Sequence, residues 1–281
     1  MIFASEGLLF GTAGVPKSAR AHSTLAGIQH IASMGLDCLE IEFVKGVRMG
    51  SDLAKKIGQE ASRLNVRLSV HAPYSINLNA PEEGKRLASQ ERILHSARLA
   101  ELCGAESVVF HPGYYGTSSP QEAYETIKRG IQELVSILRK DRVSILLRPE
   151  VMGKRSQFGR LEDILHLCRE IDGILPCVDF SHIHAREGRA NSYLGFHRIL
   201  KKIQKKLGDG ALKNMHIHVS GVEYSEKGER NHLPLGTKNE PPYKPLIKVL
   251  AENGYSGTII CESPMIDIDA LKMKREYERM I

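Results

Sequence analysis

The sequence contains no tryptophan, and no stretch of it approaches the roughly 18 consecutive apolar residues that a membrane-spanning helix needs. Its first residues include an apolar patch but lack the basic segment that opens a secretory signal. The five cysteines are scattered, odd in number and without a CxxC pair, which argues against a disulfide framework and against a zinc ribbon. These absences predict an intracellular, cytoplasmic protein that does not interact with a membrane.

Acidic residues are in the minority. The 39 lysines and arginines outnumber the 33 aspartates and glutamates, so the formal net charge is +6 and the sequence pI is about 9.0. This balance favours an anionic partner, such as nucleic acid or a phosphorylated substrate. Solvated helix faces account for a charge excess of this size equally well.

Eight short apolar segments alternate with longer segments in which apolar residues recur every three or four positions. Gly35 and Gly104 stand where a helix is expected to stop before the next strand. Because this alternation is typical of parallel strands joined by helical crossovers, we predict an α/β fold, a (β/α)8 TIM barrel forming a single domain over residues 1–281. The predicted strands are Leu8–Gly11, Cys38–Phe43, Arg67–His71, Ser107–His111, Ser144–Glu150, Leu175–Asp179, Met215–Val219 and Thr258–Glu262.

Histidines and carboxylates follow these strands at or just beyond their carboxyl ends. A lone histidine there is usually a hydrogen-bonded core residue, and a lone acid is usually a helix N-cap. Several of them converging at one end of a barrel are better explained by bound metal, and the mixed donor set suits zinc, manganese or iron. The candidates are His71, His111, Glu150, Asp179, His182, His216 and Glu262.

Two further histidines, His218 and His232, extend this set. His216 and His218 alternate along one strand and point to the same face, so that one is expected to bind metal and the other to support it. His232 lies downstream in the polar segment GERNHLPLG, from which it can reach back across the mouth of the barrel.

Seven motifs in order along the chain resemble those of the endonuclease IV family, the barrel-fold apurinic/apyrimidinic endonucleases. They are HAPYSINL, VFHPG, RPEVMGK, DFSH, MHIHVS, NHLPLG and CESP. The resemblance implies a monomeric DNA-repair enzyme that binds double-stranded DNA and hydrolyses the phosphodiester 5′ to an abasic site. It also implies three metal ions, usually zinc.

The resemblance further assigns roles to residues. Glu150 would bridge two metals, and Glu150 or Glu262 would orient the attacking water as the catalytic carboxylates. Tyr74 matches a position near the DNA. The implied ligands are His71, His111 and Glu150 for one metal, Glu150, Asp179, His216 and Glu262 for the second, and His182 and His232 for the third.

The chain departs from the family pattern beside His232. The family places an aspartate two residues before this histidine, whereas Arg230 stands here, and a guanidinium cannot bind a metal. Glu229 and His184 are possible replacements, and Arg230 could instead contact a phosphate directly. We therefore expect two or three zinc ions, with manganese as an alternative.

A second departure follows the second strand, where FVKGVRMG replaces the polar and aromatic stretch with which the family enters DNA. Arg48 and Lys45 in this segment are candidates for phosphate contacts. Arg48, Tyr74 and Arg230 are thus the predicted DNA-binding residues.

Two other functions stay open. The first is a sugar isomerase or epimerase of the same barrel superfamily, which needs a single metal held by Glu150, Asp179, His216 and Glu262. The second is a barrel that binds DNA without turnover because its third metal site is impaired. The surplus of histidines beyond the four-residue set favours the endonuclease.

Overall fold

The computed structural model describes residues 7–188, 190–237 and 241–281. Its strands are β1 (Leu8–Ala13), β2 (Cys38–Glu42), β3 (Arg67–His71), β4 (Ser107–Phe110), β5 (Gly113–Tyr114), β6 (Leu146–Pro149), β7 (Gln157–Phe158), β8 (Cys177–Asp179), β9 (Met215–Val219), β10 (Gly221–Ser225), β11 (Gly228–Leu233) and β12 (Gly257–Cys261). Its helices are α1 (Thr24–Ser33), α2 (Ser51–Arg63), α3 (Glu83–Leu102), α4 (Pro120–Lys140), α5 (Leu161–Glu170), α6 (Phe180–Glu187), α7 (Tyr193–Leu207), α8 (Asp209–Leu212), α9 (Tyr243–Glu252) and α10 (Ile266–Glu278).

Eight of these strands form one parallel sheet in the order β6-β4-β3-β2-β1-β12-β9-β8. Isolated parallel bridges from Leu147 to Ile174 and from Glu150 to Cys177 join the two outer strands and close the barrel. The predicted (β/α)8 barrel is therefore confirmed, and all eight predicted strands are present. In such a barrel the carboxyl ends of the strands lie together at one mouth, where active sites are built.

Local sequence signals explain where several helices begin and end. Ser23 caps α1 by accepting a hydrogen bond from a first-turn amide, and Ser119 forms a capping box with Glu122 ahead of α4. Gly35 and Gly104 follow α1 and α3 with φ of 74° and 65°, a conformation that costs other residues a steric clash. The predicted helix stops at these two glycines are confirmed.

Several elements of the structure were not predicted from the sequence. The turn DFSH begins the short helix α6, and Asp179 is its N-cap. The chain after β9 forms the antiparallel hairpin β10–β11, and a smaller ribbon pairs β5 with β7. The last helix of the described chain is α10.

Polar side chains occupy part of the barrel interior. Glu40 on β2 contacts His216 and His218 on β9, although β1 and β12 separate these two strands in the sheet. The three side chains therefore meet across the inside of the barrel, and each is at most 2% exposed. Such groups are costly to bury unless they are paired, so their contacts point to a specific role. In the part of the chain described above, no helix is long and apolar enough to cross a membrane.

Candidate metal centre

Glu150, directly after β6, lies at the centre of the candidate site. Its Oε2 atom is 3.0 Å from His111 Nε2 and 3.3 Å from His71 Nε2. The three residues form a group whose potential ligand atoms all lie within 4.8 Å of one another. We call this group site A. It contains the residues that the resemblance implies for one metal.

The other oxygen of Glu150 faces a second group, made with Asp179, His218 and Glu262, which we call site B. The Nδ1 atom of His218 is 3.3 Å from Glu262 Oε1 and 3.5 Å from Glu150 Oε1. Asp179 uses Oδ1 to accept from the His182 amide as the cap of α6, whereas Oδ2 has no hydrogen-bond partner among the described residues and lies 3.5 Å from His182 Nδ1. The N-cap and metal-ligand interpretations of Asp179 are thus compatible, because they use different oxygens.

A third group, site C, joins His182 on α6 to Glu229 and His232 on β11. Glu229 Oε2 is 3.3 Å from His182 Nε2, and Glu229 Oε1 is 3.8 Å from His232 Nε2. Glu229 therefore takes the position that an aspartate is expected to fill.

The placement of His216 differs from the expectation. His216 is not part of site B. Its Nε2 atom lies deeper in the barrel, 2.9 Å from Glu40 Oε2, while His218, one pleat nearer the carboxyl end of β9, reaches Glu150 and Glu262. The shared face of the two histidines agrees with their alternation, but the geometry favours His218 as the ligand because β9 presents it closer to the mouth.

Three of the histidines hold one ring nitrogen against a backbone carbonyl. Since a carbonyl only accepts, the Nδ1 atom of each ring donates to it, and Nε2 is the nitrogen that would bind a metal. These contacts join His71 to Ala72 (2.8 Å), His182 to Val151 (2.9 Å) and His232 to Glu262 (3.1 Å).

The carboxylates and imidazoles of the site shift one another's pKa values. Burial alone would raise the pKa of Glu150, but the imidazoles of His111, His182 and His218 outweigh it and hold this pKa well below the usual range. Burial lowers the pKa of His71, yet nearby carboxylates raise it overall to about 10. The His71 imidazole thus carries a proton on each ring nitrogen at neutral pH, and a metal cation would displace one of them.

Sequence reasoning missed two acids on β2. Glu40 is fully buried, and Glu42 lies with Glu40 and Glu262 in a further acidic group. Burial raises the pKa of Glu42 to about 8. The only signal was the presence of two glutamates within the apolar segment CLEIEF, where buried carboxylates need partners.

The predicted DNA-binding residues lie around the mouth. The Tyr74 ring is 5.4 Å from the His71 ring and 5.2 Å from the His111 ring, and Tyr74 is 47% exposed. Arg48 is exposed in the segment between β2 and α2.

Arg230 points away from the candidate ligands. Its side chain is 62% exposed, and its guanidinium lies 3.8 Å from Glu223. His184, the other possible replacement, packs edge-on against Tyr224 at 5.3 Å between ring centroids and is not part of site C.

The donor atoms present fit divalent metal ions. Atoms that share an ion at about 2.0–2.2 Å lie roughly 3–3.5 Å apart in tetrahedral geometry, and the separations quoted above for the three groups run from 3.0 to 3.8 Å. Asp179 Oδ2 and His218 Nδ1 are buried in site B without a hydrogen-bond partner among the described residues. Buried polar atoms are rarely left unpaired, so these two mark where a cation would bind.

The protein is thus a TIM barrel whose carboxyl-end mouth gathers groups of histidines and carboxylates that could hold metal ions. The chain belongs to the xylose isomerase-like TIM barrel family, whose sequence profile matches residues 28–280.

Among its relatives, an uncharacterized protein of Methanocaldococcus jannaschii is 44% identical over 274 residues, which cover 97% of this chain and 98% of the relative. A probable endonuclease 4 of Aquifex aeolicus is 28% identical over 184 residues, which is 64% of each chain.

Two solved structures resemble the fold to the same degree. Endonuclease IV from Thermus thermophilus gives a TM-score of 0.73 at 19% identity and covers 98% of both chains. A D-tagatose 3-epimerase-like protein gives 0.73 at 23% identity and covers 97% of this chain and 96% of its own. At these identities the structural likeness shows the fold and does not choose between the two activities.

Proposed function

We propose that this protein is a metal-dependent DNA-repair endonuclease that acts as a monomer and hydrolyses the phosphodiester 5′ to abasic sites in double-stranded DNA. The observation that carries the proposal is the presence of three ligand groups around one carboxylate: Glu150 belongs to sites A and B, and site C touches it through His182. A single-metal enzyme needs only one of these groups. Zinc fits the donor set best, and manganese is the alternative.

The chain's own side chains would divide the work as follows. When bound, divalent ions neutralise the charge of a phosphodiester and lower the pKa of water to near neutrality. Glu150 and Glu262 both belong to site B, and their carboxylates would orient the attacking water. The buried imidazoles of His71 and His182 hold Glu150 in position through contacts of 3.3 and 3.1 Å.

Residues at the mouth would hold the nucleic acid. Tyr74 offers an exposed ring, supported by the rings of His71 and His111, on which a base can stack. Arg48 and Arg230 are exposed and would contact phosphates. Since Arg230 lies outside the metal groups, it is free to play this role.

A sugar epimerase or isomerase is the second candidate. Site B alone, with Glu150, Asp179, His218 and Glu262, suffices for one metal that would bind a sugar's oxygens between two carboxylates. In that case sites A and C would have no catalytic purpose, which is why the endonuclease is preferred.

The test combines metal analysis with an activity assay. Protein stripped by a chelator and reloaded with zinc is compared with stripped protein on a duplex oligonucleotide that carries one synthetic abasic site. Two or three zinc ions per chain, and cleavage on the 5′ side only after reloading, support the proposal. One ion per chain with ketose epimerisation and no cleavage would transfer the assignment to the second candidate. Tight DNA binding without turnover would indicate a barrel that has lost catalysis.

A further inference from the structure

His218 differs from the other histidines in how its ring is held. In His71 and His232, Nδ1 contacts a backbone carbonyl and Nε2 faces the carboxylate of Glu150 or Glu229. In His182, Nδ1 contacts both a backbone carbonyl and Glu150, while Nε2 faces Glu229. In His218 the roles are reversed, because Nδ1 faces Glu150 and Glu262 in site B. Its tautomer must therefore be set by something that lies on the Nε2 side.

Glu40 lies on that side. Its Oε1 atom is 2.9 Å from His218 Nε2, at contact distance although without the alignment of a full hydrogen bond. Neither of the two atoms has a hydrogen-bond partner elsewhere in the described chain. The Cys177 sulfur lies within 4.8 Å of a ring nitrogen of His218, but a cysteine sulfur is only a weak hydrogen-bond acceptor.

The carboxylate of Glu40 is itself held in place from two directions. Its Oε2 atom accepts a 2.7 Å hydrogen bond from Ser69 on β3, and His216 Nε2 lies 2.9 Å away on β9. Glu40 is also fully buried. Its carboxylate is thus held beside His218 by Ser69 on β3 and by His216 on β9.

We infer that Glu40 is a positioning residue of the metal centre: it keeps the proton of His218 on Nε2 so that Nδ1 is free for the ion in site B. His216 then serves as a partner of Glu40 and not as a ligand. This inference rests on the proposed metal centre and adds to it a residue that does not touch the ion. Carboxylates that accept from a metal-bound histidine raise its basicity and fix its orientation.

The test uses Glu40→Gln, which keeps the shape of the side chain and removes its charge. Zinc affinity is measured by competition with a chelating dye, and the visible spectrum of the cobalt-substituted protein reports the geometry around the ion. We expect one ion to bind about 10–100-fold more weakly, with a changed cobalt spectrum. Wild-type affinity and an unchanged spectrum in this variant would overturn the inference.

Two histidine variants serve as matched controls. His216→Gln keeps an N–H donor towards Glu40 and should retain wild-type zinc affinity, whereas His218→Gln should lose the ion in site B. If His216→Gln loses an ion and His218→Gln does not, His216 is the ligand and the inference is wrong. Wild-type protein that takes up no zinc would instead refute the proposed function, so the two failures are distinguishable.

A milder variant covers the case in which Glu40→Gln does not fold, as judged by circular dichroism. Ser69→Ala removes only the hydroxyl that donates to Glu40 and should weaken zinc binding in the same direction by a smaller factor. An unchanged zinc affinity together with an unchanged cobalt spectrum in Ser69→Ala would then overturn the inference.

Discussion

Glu229 and His232 face the same histidine, His182, although they lie three positions apart on one strand. In a regular strand, residues three apart point to opposite faces. The register of the hairpin β10–β11 shifts here: Glu223 pairs with Asn231, whereas Tyr224 pairs with Glu229. Arg230 is therefore the extra residue of a β-bulge, a feature that commonly redirects a side chain beside an active site. The bulge turns Glu229 into site C and Arg230 out to solvent.

This arrangement predicts opposite effects for two neighbouring substitutions. Glu229→Gln should lower the zinc content by one ion per chain, because site C loses its only carboxylate. Arg230→Ala should leave the zinc content unchanged and weaken only the binding of DNA, in a salt-dependent way. Metal analysis after dialysis, with DNA affinity measured at several salt concentrations, separates the two. Loss of an ion in Arg230→Ala would show that the bulge does not form as described.

Glu150→Gln should remove turnover and reduce the zinc content of both site A and site B. The reason is that each carboxylate oxygen faces a different group, and an amide supplies only one acceptor oxygen. The loss of zinc affinity should exceed the roughly 10–100-fold expected for a supporting residue. Nicking of abasic duplex DNA and metal analysis check this result. Full activity in the variant would refute the central role of Glu150.

The metal-free protein should lose stability as the pH rises above 6.5. The His71 pKa is raised from 6.5 to about 10, because carboxylates including Glu42 and Glu150 outweigh its burial. A raised histidine pKa stabilises the folded state fully below 6.5, and this contribution is lost as the pH passes through about 10. Glu42, whose pKa burial raises from 4.5 to about 8, acts in the same direction.

Groups whose pKa is lowered in the folded protein, including His216, His111 and Glu150, oppose this trend only at lower pH. For His216, burial lowers the pKa from 6.5 to about 4, so stability rises with pH between these two values. Above pH 6.5 this histidine no longer changes the stability. Thermal unfolding in chelator at a series of pH values is the measurement. In the presence of zinc the stability should instead increase as the pH rises, because fewer protons compete with zinc for the ligand atoms at higher pH. A midpoint that rises with pH in chelator would contradict the prediction.

Tyr74→Ala should weaken the binding of abasic duplex DNA by about 1–3 kcal/mol, the usual contribution of one base–aromatic stack. Tyr74→Phe is the matched control, because it keeps the ring and should bind DNA as the wild type does. Leu194, which is 61% exposed on α7 and outside the predicted DNA-binding residues, offers a second control as Leu194→Ala. Fluorescence anisotropy with a labelled duplex measures the affinity. Equal binding by all variants would exclude Tyr74 from the DNA interface.

The sequence by itself determined the barrel and the end at which the site lies. Periodicity predicted Arg67–His71 and Met215–Val219 with the bounds that the structure gives. This was possible because strand and helix periods, caps and glycine stops are local properties that neighbouring residues encode. The convergence of the strand-end candidates follows from the same logic, since parallel strands bring their carboxyl ends together.

Only the tertiary structure decided which residues complete the site. The alternation of His216 and His218 places both side chains on the same face of β9. Their depth in the barrel decides that His218 reaches site B and that His216 contacts Glu40. Glu229 replaces the expected aspartate because of a bulge that depends on pairing between two strands. Glu40 and His218 lie far apart in the sequence and meet only inside the folded barrel. These features depend on strand register, on depth in the barrel and on contacts across it, and no local pattern of residues encodes them.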